Sequence, residues 1–208
     1  MIKFSRYLAA VLAVACTTLA GPKVWAEDNP DNVAVQAAAK EMGCEFKDGR
    51  YRTSDGHPCP VVTKDYKVDW AVWQGFRRYH DACHVCHGPN AGGSTFAPAL
   101  ADSLKTMDYE TFFGTVVGGR VAERGGTTYV MPAFGEDKNI MCYLDDIYSY
   151  VKARANNLAS DGKAGMPAGR PGGREDISAE TRKANTECFG EDQSGGGKKT
   201  EAAPPAAK

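Results

Sequence analysis

The sequence predicts an all-α domain near positions 66–155, and three observations predict it. Three stretches carry helical apolar spacing, loops rich in glycine and proline separate them, and the first stretch runs into two cysteines with a histidine directly after the second. The first helix begins at about Asp69. Trp70, Trp73, Arg77 and His80 share one side of it, and Ala71, Gly75, Tyr79 and Ala82 follow i, i+4 spacing on another. A loop, Gly88 to Pro98, comes next. The second helix spans about Ala101 to Val117 and stops at Gly118-Gly119. Arg124 to Gly135 reads as a loop containing Met131-Pro132. The third helix covers about Asp137 to Arg154, where Ile140, Leu144, Ile147 and Val151 form one apolar stripe.

The flanks have a different character. Lys3 and Arg6 precede an apolar run, Tyr7 to Ala20, and Val24-Trp25-Ala26 offers small residues for signal-peptidase cleavage. Residues 1–26 therefore read as a secretory signal and direct the chain to the periplasm. The run is too short for a spanning helix, so no membrane insertion is expected. Residues 27–65 form an extension rich in turn signals, with a hairpin from Glu45 to Arg52 that turns at Asp48-Gly49. Residues 156–208 read as an extended glycine- and proline-rich wrap carrying Gly165, Gly169 and Pro171, and "SGGGKKTEAAPPAAK" is predicted to be disordered.

Charge narrows the partners. Of 25 Lys and Arg, residues 1–26 hold three, and of 26 Asp and Glu they hold none, so the net charge moves from −1 to −4 on cleavage. No basic stripe exists, which excludes nucleic-acid binding as a reading. Six of the seven cysteines follow the signal. With Cys83 and Cys86 set aside, four remain, enough for two disulfides in three connectivities. The preferred pairing is Cys44–Cys59, which flanks the hairpin, with Cys142–Cys188, which ties the tail to the body. A chain of this size and kind is most simply a monomer.

Cys83-His84-Val85-Cys86-His87 carries the chemistry. Cysteines at i and i+3 lie on one side of a helical turn, so two sulfurs can bond one edge of a haem while the next residue presents a nitrogen ligand to iron. Random placement of 7 cysteines and 4 histidines in 208 residues gives this motif about four times in a thousand. A thioredoxin-like dithiol would want a βαβ context, and a zinc knuckle would want a second Cys/His pair; neither is present. One covalent haem c is therefore expected, with His87 on the iron. For the sixth position, Met107 and Met141 fall at helical positions and Met166 in the glycine-rich wrap. Met131 sits in an irregular stretch where Pro132 biases it toward extended backbone, so it is the expected ligand. An open sixth position and a second histidine, His57, stay as alternatives. The Pro98 carbonyl is the expected acceptor for the outer N–H of His87, and Arg120 and Tyr129 are candidates for a haem propionate. His80 and His84 read as exposed helix residues. Trp70 and Trp73 read as packing.

With those residues placed, the chain resembles a class I cytochrome c over about residues 69–154. Gly75 and Tyr79 in the first helix, the Cys83–His87 motif, Pro98, Met131-Pro132 and the last helix carry the likeness. The resemblance implies that Gly75 and Tyr79 meet Leu144, Tyr148 or Val151 where the first and last helices cross. A narrower likeness lies in "YHDACHVCHGPNAGGSTFAPALADSLKTM", "VVGGR", "VMPAFG" and "MCYLDDIYSYVKAR", followed by a tail cysteine. These resemble the c-L-like electron acceptors of pyrroloquinoline quinone (PQQ) methanol dehydrogenases, in the branch that accompanies lanthanide-dependent enzymes. Cys142 and Cys188 fit that branch, whereas Cys44 and Cys59 have no counterpart in the pattern. The resemblance implies a periplasmic carrier, not an enzyme, that takes electrons from such a dehydrogenase and passes them to another small cytochrome c. Its alternatives are a general carrier with another donor and a haem enzyme or sensor with an open sixth position. Val85, Ala97, Ala133 and Phe134 are the apolar residues expected around the docking edge.

Overall fold

The computed structural model describes residues 30–156 and 179–189. The expected signal segment, Met166 with most of the glycine- and proline-rich stretch expected to wrap the body, and the terminal low-complexity run lie outside the described residues.

Helix α2, Trp70–Ala82, begins where the sequence places it. Asp69 adopts extended backbone and its carboxylate accepts from the Val72 N–H at 2.8 Å, satisfying one of the free donors of the first turn. The helix packs against α7, Leu144–Ala155, and the crossing is very close. A Cβ at Gly75 would lie 1.8 Å from the Asp146 carbonyl oxygen and 2.9 Å from the Tyr150 Cβ. Only a residue without a side chain allows that approach. Val72, Tyr79, Leu104, Leu144, Tyr150 and Val151 fill the core on either side of it.

The second and third predicted helices are each broken in two. Leu100–Ser103 forms α4 and Tyr109–Gly118 forms α5. Asp108 separates them because its extended backbone and its side chain, which accepts from Thr111 N–H at 2.8 Å, start a new helix. Lys138–Met141 forms α6 and is separated from α7 at Cys142 and Tyr143. Cys142 is tied to Cys188, and the Tyr143 ring lies under the Arg78 guanidinium. The stripe Ile140, Leu144, Ile147 and Val151 is buried throughout, so the break costs no apolar burial.

Two hairpins and two further helices surround this body. The hairpin β1 (Glu45–Lys47) and β2 (Arg50–Arg52) turns at Asp48-Gly49, both at positive φ, as a two-residue turn of primed type requires. The extension also contains a helix, α1 (Pro30–Glu41), where only turns were expected. Val35 and Ala39 of α1 pack on Cys59 and Val61 in a small separate core, and the Cys44–Cys59 disulfide closes that unit. The stretch read as a loop is instead a second hairpin, with β3 (Arg120–Arg124) paired to β4 (Thr127–Met131) around Gly125-Gly126. The tail holds α8 (Ala179–Phe189) in place of an uninterrupted wrap. No apolar stripe announces α8; contacts hold it instead. Cys188 is bonded to Cys142, the Phe189 ring packs tilted against that of Tyr143 at 5.1 Å, and the Thr181 hydroxyl donates to the Gly49 carbonyl at 2.8 Å. Among the described residues, no helix is long and apolar enough to cross a membrane.

Candidate functional site

Helix α2 ends at Ala82, and Cys83 caps it while starting the single turn α3, His84–His87. The Cys83 carbonyl accepts from the N–H groups of Cys86 at 3.3 Å and His87 at 3.0 Å, so the motif is one wound turn with both sulfurs on one side. Cys83 and Cys86 are the free cysteines of the described residues, while Cys44, Cys59, Cys142 and Cys188 are all paired. Burial, and secondarily Cys86, pushes the Cys83 thiol up to about 11.

His87 is buried, and its Nδ1 lies 3.0 Å from the Pro98 carbonyl oxygen. A carbonyl only accepts, so Nδ1 carries the proton and donates. The unprotonated nitrogen of the neutral ring is then Nε2, the correct species for a metal bond. Immediately beyond, Gly88 has φ 73, and a Cβ on it would meet the Gly93 carbonyl oxygen at 2.2 Å. The chain thus turns back sharply after the histidine. An unpaired thiol pair on one turn, with an imidazole beside it whose tautomer is fixed, fits a haem held through two thioethers.

The second hairpin assembles the other predicted residues. Its register sets Arg120 opposite Met131 and Ala122 opposite Tyr129, so Arg120, Tyr129 and Met131 share one face. Tyr129 and Met131 on that face are half-buried, whereas Val121 and Val130 on the other are 66% and 67% exposed. Met131 packs against the main core. Its position follows from close contact with the end of α5. A Cβ on Gly119 would lie 2.7 Å from the Met131 carbonyl oxygen and 2.8 Å from the Ala133 nitrogen. Phe134 N–H donates to the Val116 carbonyl at 3.0 Å, and Gly135 N–H to that of Val117 at 3.2 Å.

The remaining candidates are placed elsewhere or differently. Met107, between α4 and α5, and Met141, at the end of α6, also pack on the core as partly buried residues. The His57 ring lies 5.4 Å from Tyr109, with its Nε2 on Glu110 Oε1 at 2.6 Å, so it is engaged against the start of α5. His80 and His84 are half-buried and not exposed, because their rings stack 5.6 Å apart. Trp73 packs on the core beside Phe76, at 5.8 Å between rings. Of the expected docking edge, Val85 is 70% exposed and Ala133 is exposed, while Ala97 is half-buried and Phe134 turns toward the core. Two features escaped sequence reading. The Tyr79 hydroxyl bonds the Gly88 carbonyl, and Arg50 bonds Asp146. A tyrosine where phenylalanine would pack equally well was the available signal for the first; nothing local marked the second.

Comparison with known proteins agrees with this geometry. The family described as cytochrome C oxidase, cbb3-type, subunit III matches residues 71–151. Cytochrome c-553I of Paracoccus denitrificans is 42% identical over 144 residues, which is 69% of this chain and 61% of that protein. The chain therefore spans about 61% of the length of that relative. Cytochrome c-555 of Methylococcus capsulatus is 34% identical over 101 residues, 48% of this chain and 76% of that one. The crystal structure of c-type cytochrome XoxG from Methylobacterium extorquens AM1 superposes with a TM-score of 0.57 at 42% identity, over 74% of this chain and 89% of that one. A helical body crossed at a glycine, a free cysteine pair ahead of a buried histidine, and these relatives lead to one conclusion: the chain belongs to the class I c-type cytochromes, which hold haem c covalently.

Proposed function

We propose that this protein is a periplasmic single-haem electron carrier that accepts electrons from a PQQ methanol dehydrogenase and delivers them to another small cytochrome c. Cys83 and Cys86 would anchor the cofactor, His87 and Met131 would supply a nitrogen and a sulfur ligand to its iron, and Arg120 and Tyr129 would serve a propionate. The single observation that carries the ligand assignment is the His87 Nδ1–Pro98 contact at 3.0 Å, which leaves Nε2 as the metal-binding nitrogen. The bound haem supplies one-electron chemistry between ferric and ferrous iron. The chain's own part would be to hold the His87 nitrogen in place, to present the Met131 thioether from β4, and to wall off water with the core around Tyr79, Leu104 and Tyr148. A methionine and histidine ligand pair would raise the potential relative to two histidines, which suits transfer over ligand chemistry.

The donor assignment rests on the likeness of the motif stretches to cytochromes of methanol oxidation. Similarity to XoxG of Methylobacterium extorquens and to cytochrome c-555 of Methylococcus capsulatus supports it. The matching experiment is stopped-flow reduction of the oxidised protein by a purified PQQ methanol dehydrogenase. Rapid reduction is expected. Slow reduction by that enzyme, with rapid reduction by some other periplasmic donor, would assign the protein to general electron carriage. A high-spin ferric spectrum that responds to carbon monoxide after reduction would assign it to catalysis or sensing.

A further inference from the structure

Helix α3 is a single turn, so the carbonyl groups at its end have no helical donors downstream. Donors from outside it take the last two of these and the carbonyl that follows. The Ser94 hydroxyl donates to the Cys86 carbonyl. The Gly93 N–H donates to the His87 carbonyl at 2.7 Å. The Tyr79 hydroxyl donates to the Gly88 carbonyl at 2.6 Å. Two of these donors belong to the loop itself and move with it. Tyr79 does not, because it is fully buried in α2 with its ring 5.4 Å from that of Tyr150 in α7. Burial holds the Tyr79 hydroxyl far above its usual pKa, so it remains a donor at any working pH.

We infer that Tyr79 is a positioning residue for the axial histidine: its hydroxyl ties the peptide after His87 to the rigid helix crossing, and thereby sets the strength of the His87 Nδ1–H bond to Pro98. The inference rests on the proposed ligation of iron by His87. Gly88 and Pro98 mark the two ends of one loop, and both ends touch the histidine or its neighbour. Removing the hydroxyl leaves a buried carbonyl without a donor, and the loop shifts to recover one. The Nδ1–H bond to Pro98 then weakens. An imidazole that donates less through Nδ1–H is a poorer ligand, and the ferric state loses more from this than the ferrous state.

The test uses the haem-loaded protein. Tyr79→Phe keeps the ring packing and removes only the hydroxyl. Its reduction equilibrium is expected to shift about three- to tenfold toward the ferrous form, tenfold being 59 mV for a one-electron couple. The g values of the low-spin ferric EPR signal are expected to move as well. Val72→Ala removes buried methyl groups from the same helix without touching the loop; it should lower the melting temperature and leave potential and g values unchanged. Ser94→Ala, at an exposed position, removes a donor that moves with the loop and should shift the potential by less. If Tyr79→Phe does not mature, site-specific 3-fluorotyrosine at position 79, a stronger hydroxyl donor of nearly the same shape, carries the test and should shift the potential the opposite way; a potential equal to wild type would overturn the inference. A low-spin Tyr79→Phe protein whose potential and g values match wild type overturns the inference. A His87→Ala protein that keeps the wild-type low-spin spectrum would instead defeat the ligand assignment beneath it.

Discussion

Arg50, in the N-terminal hairpin, grips Asp146 at the first turn of α7 with two hydrogen bonds, Nε to Oδ1 at 2.6 Å and Nη2 to Oδ2 at 3.0 Å. The side chains are only 9% and 2% exposed. The same guanidinium reaches Asn185 of α8 at 3.4 Å, so one residue joins the extension, the core and the tail. Asp146 is also the residue whose carbonyl lies against Gly75, which places this clasp at the main helix crossing.

Removing one partner of this pair strands the other charge. Arg50→Met is expected to destabilise the protein by about 3–5 kcal/mol. The double variant Arg50→Met with Asp146→Leu should recover most of that loss, because no buried charge is left alone. Urea unfolding of the four proteins of this cycle measures it. Equal losses in the single and double variants would show that the clasp acts through shape and not charge.

Asp69 is fully buried, and burial raises its carboxyl from 3.8 to about 7, with Asp146 adding to the rise and the Val72 N–H and Arg50 opposing it. Its Oδ2 has no hydrogen-bond partner, and Tyr51 also faces it. The folded state therefore binds this proton more tightly than the unfolded chain does. Below the unfolded value both states are protonated. Between about 4 and 7 the unfolded chain releases the proton first, and stability falls with rising pH by up to about 1.4 kcal/mol per unit. Above the folded value the slope vanishes. Asp69→Asn keeps an acceptor for Val72 and should abolish this slope, leaving a protein more stable than wild type at pH 7. Parallel denaturation curves at pH 4, 5.5 and 7 decide the matter, and an unchanged slope in the variant would rule Asp69 out.

Met131→Ala should remove the sulfur-to-iron charge-transfer band of the oxidised protein and open the reduced protein to carbon monoxide. Met131→His should keep a low-spin spectrum at a lower potential. Met107→Ala and Met141→Ala should keep the band, losing only packing. A band that survives in Met131→Ala would move the ligand to another methionine.

A methyl group at Gly75 has nowhere to go, since its 1.8 Å approach is to backbone and not to a side chain that can swing away. Gly75→Ala should separate α2 from α7 and cost about 1–3 kcal/mol or more. Calorimetry of the haem-loaded protein is the measurement. Gly114→Ala, which meets nothing within 4 Å on α5, is the control and should not be destabilising.

Residue type and spacing were enough for some of this. Asp69 before an amphipathic run marks a helix start whether or not anything packs on it, because the cap bond is three residues long. Asp48-Gly49 specifies a tight turn for the same local reason. The second hairpin is equally local, with Gly125-Gly126, both at positive φ, between Arg124 and the β-branched pair Thr127-Thr128. The charged residues Glu123 and Arg124 before it and Met131-Pro132 after it mask the strand pattern. Helix α8 was not legible in that way. Its sequence has weak apolar patterning, and a disulfide, a ring contact and a hydroxyl bond to Gly49 hold it in place.

The sequence by itself determined the attachment chemistry and the all-α class. Both depend on groups within a few residues of one another, and helical geometry fixes their spacing whatever surrounds them. Only the tertiary structure decided that Arg50 meets Asp146, that Met131 turns onto the core beside the end of α5, and that Tyr79 holds the peptide after His87. Those relations join segments whose distance in space depends on how the helices cross. No local spacing encodes that distance.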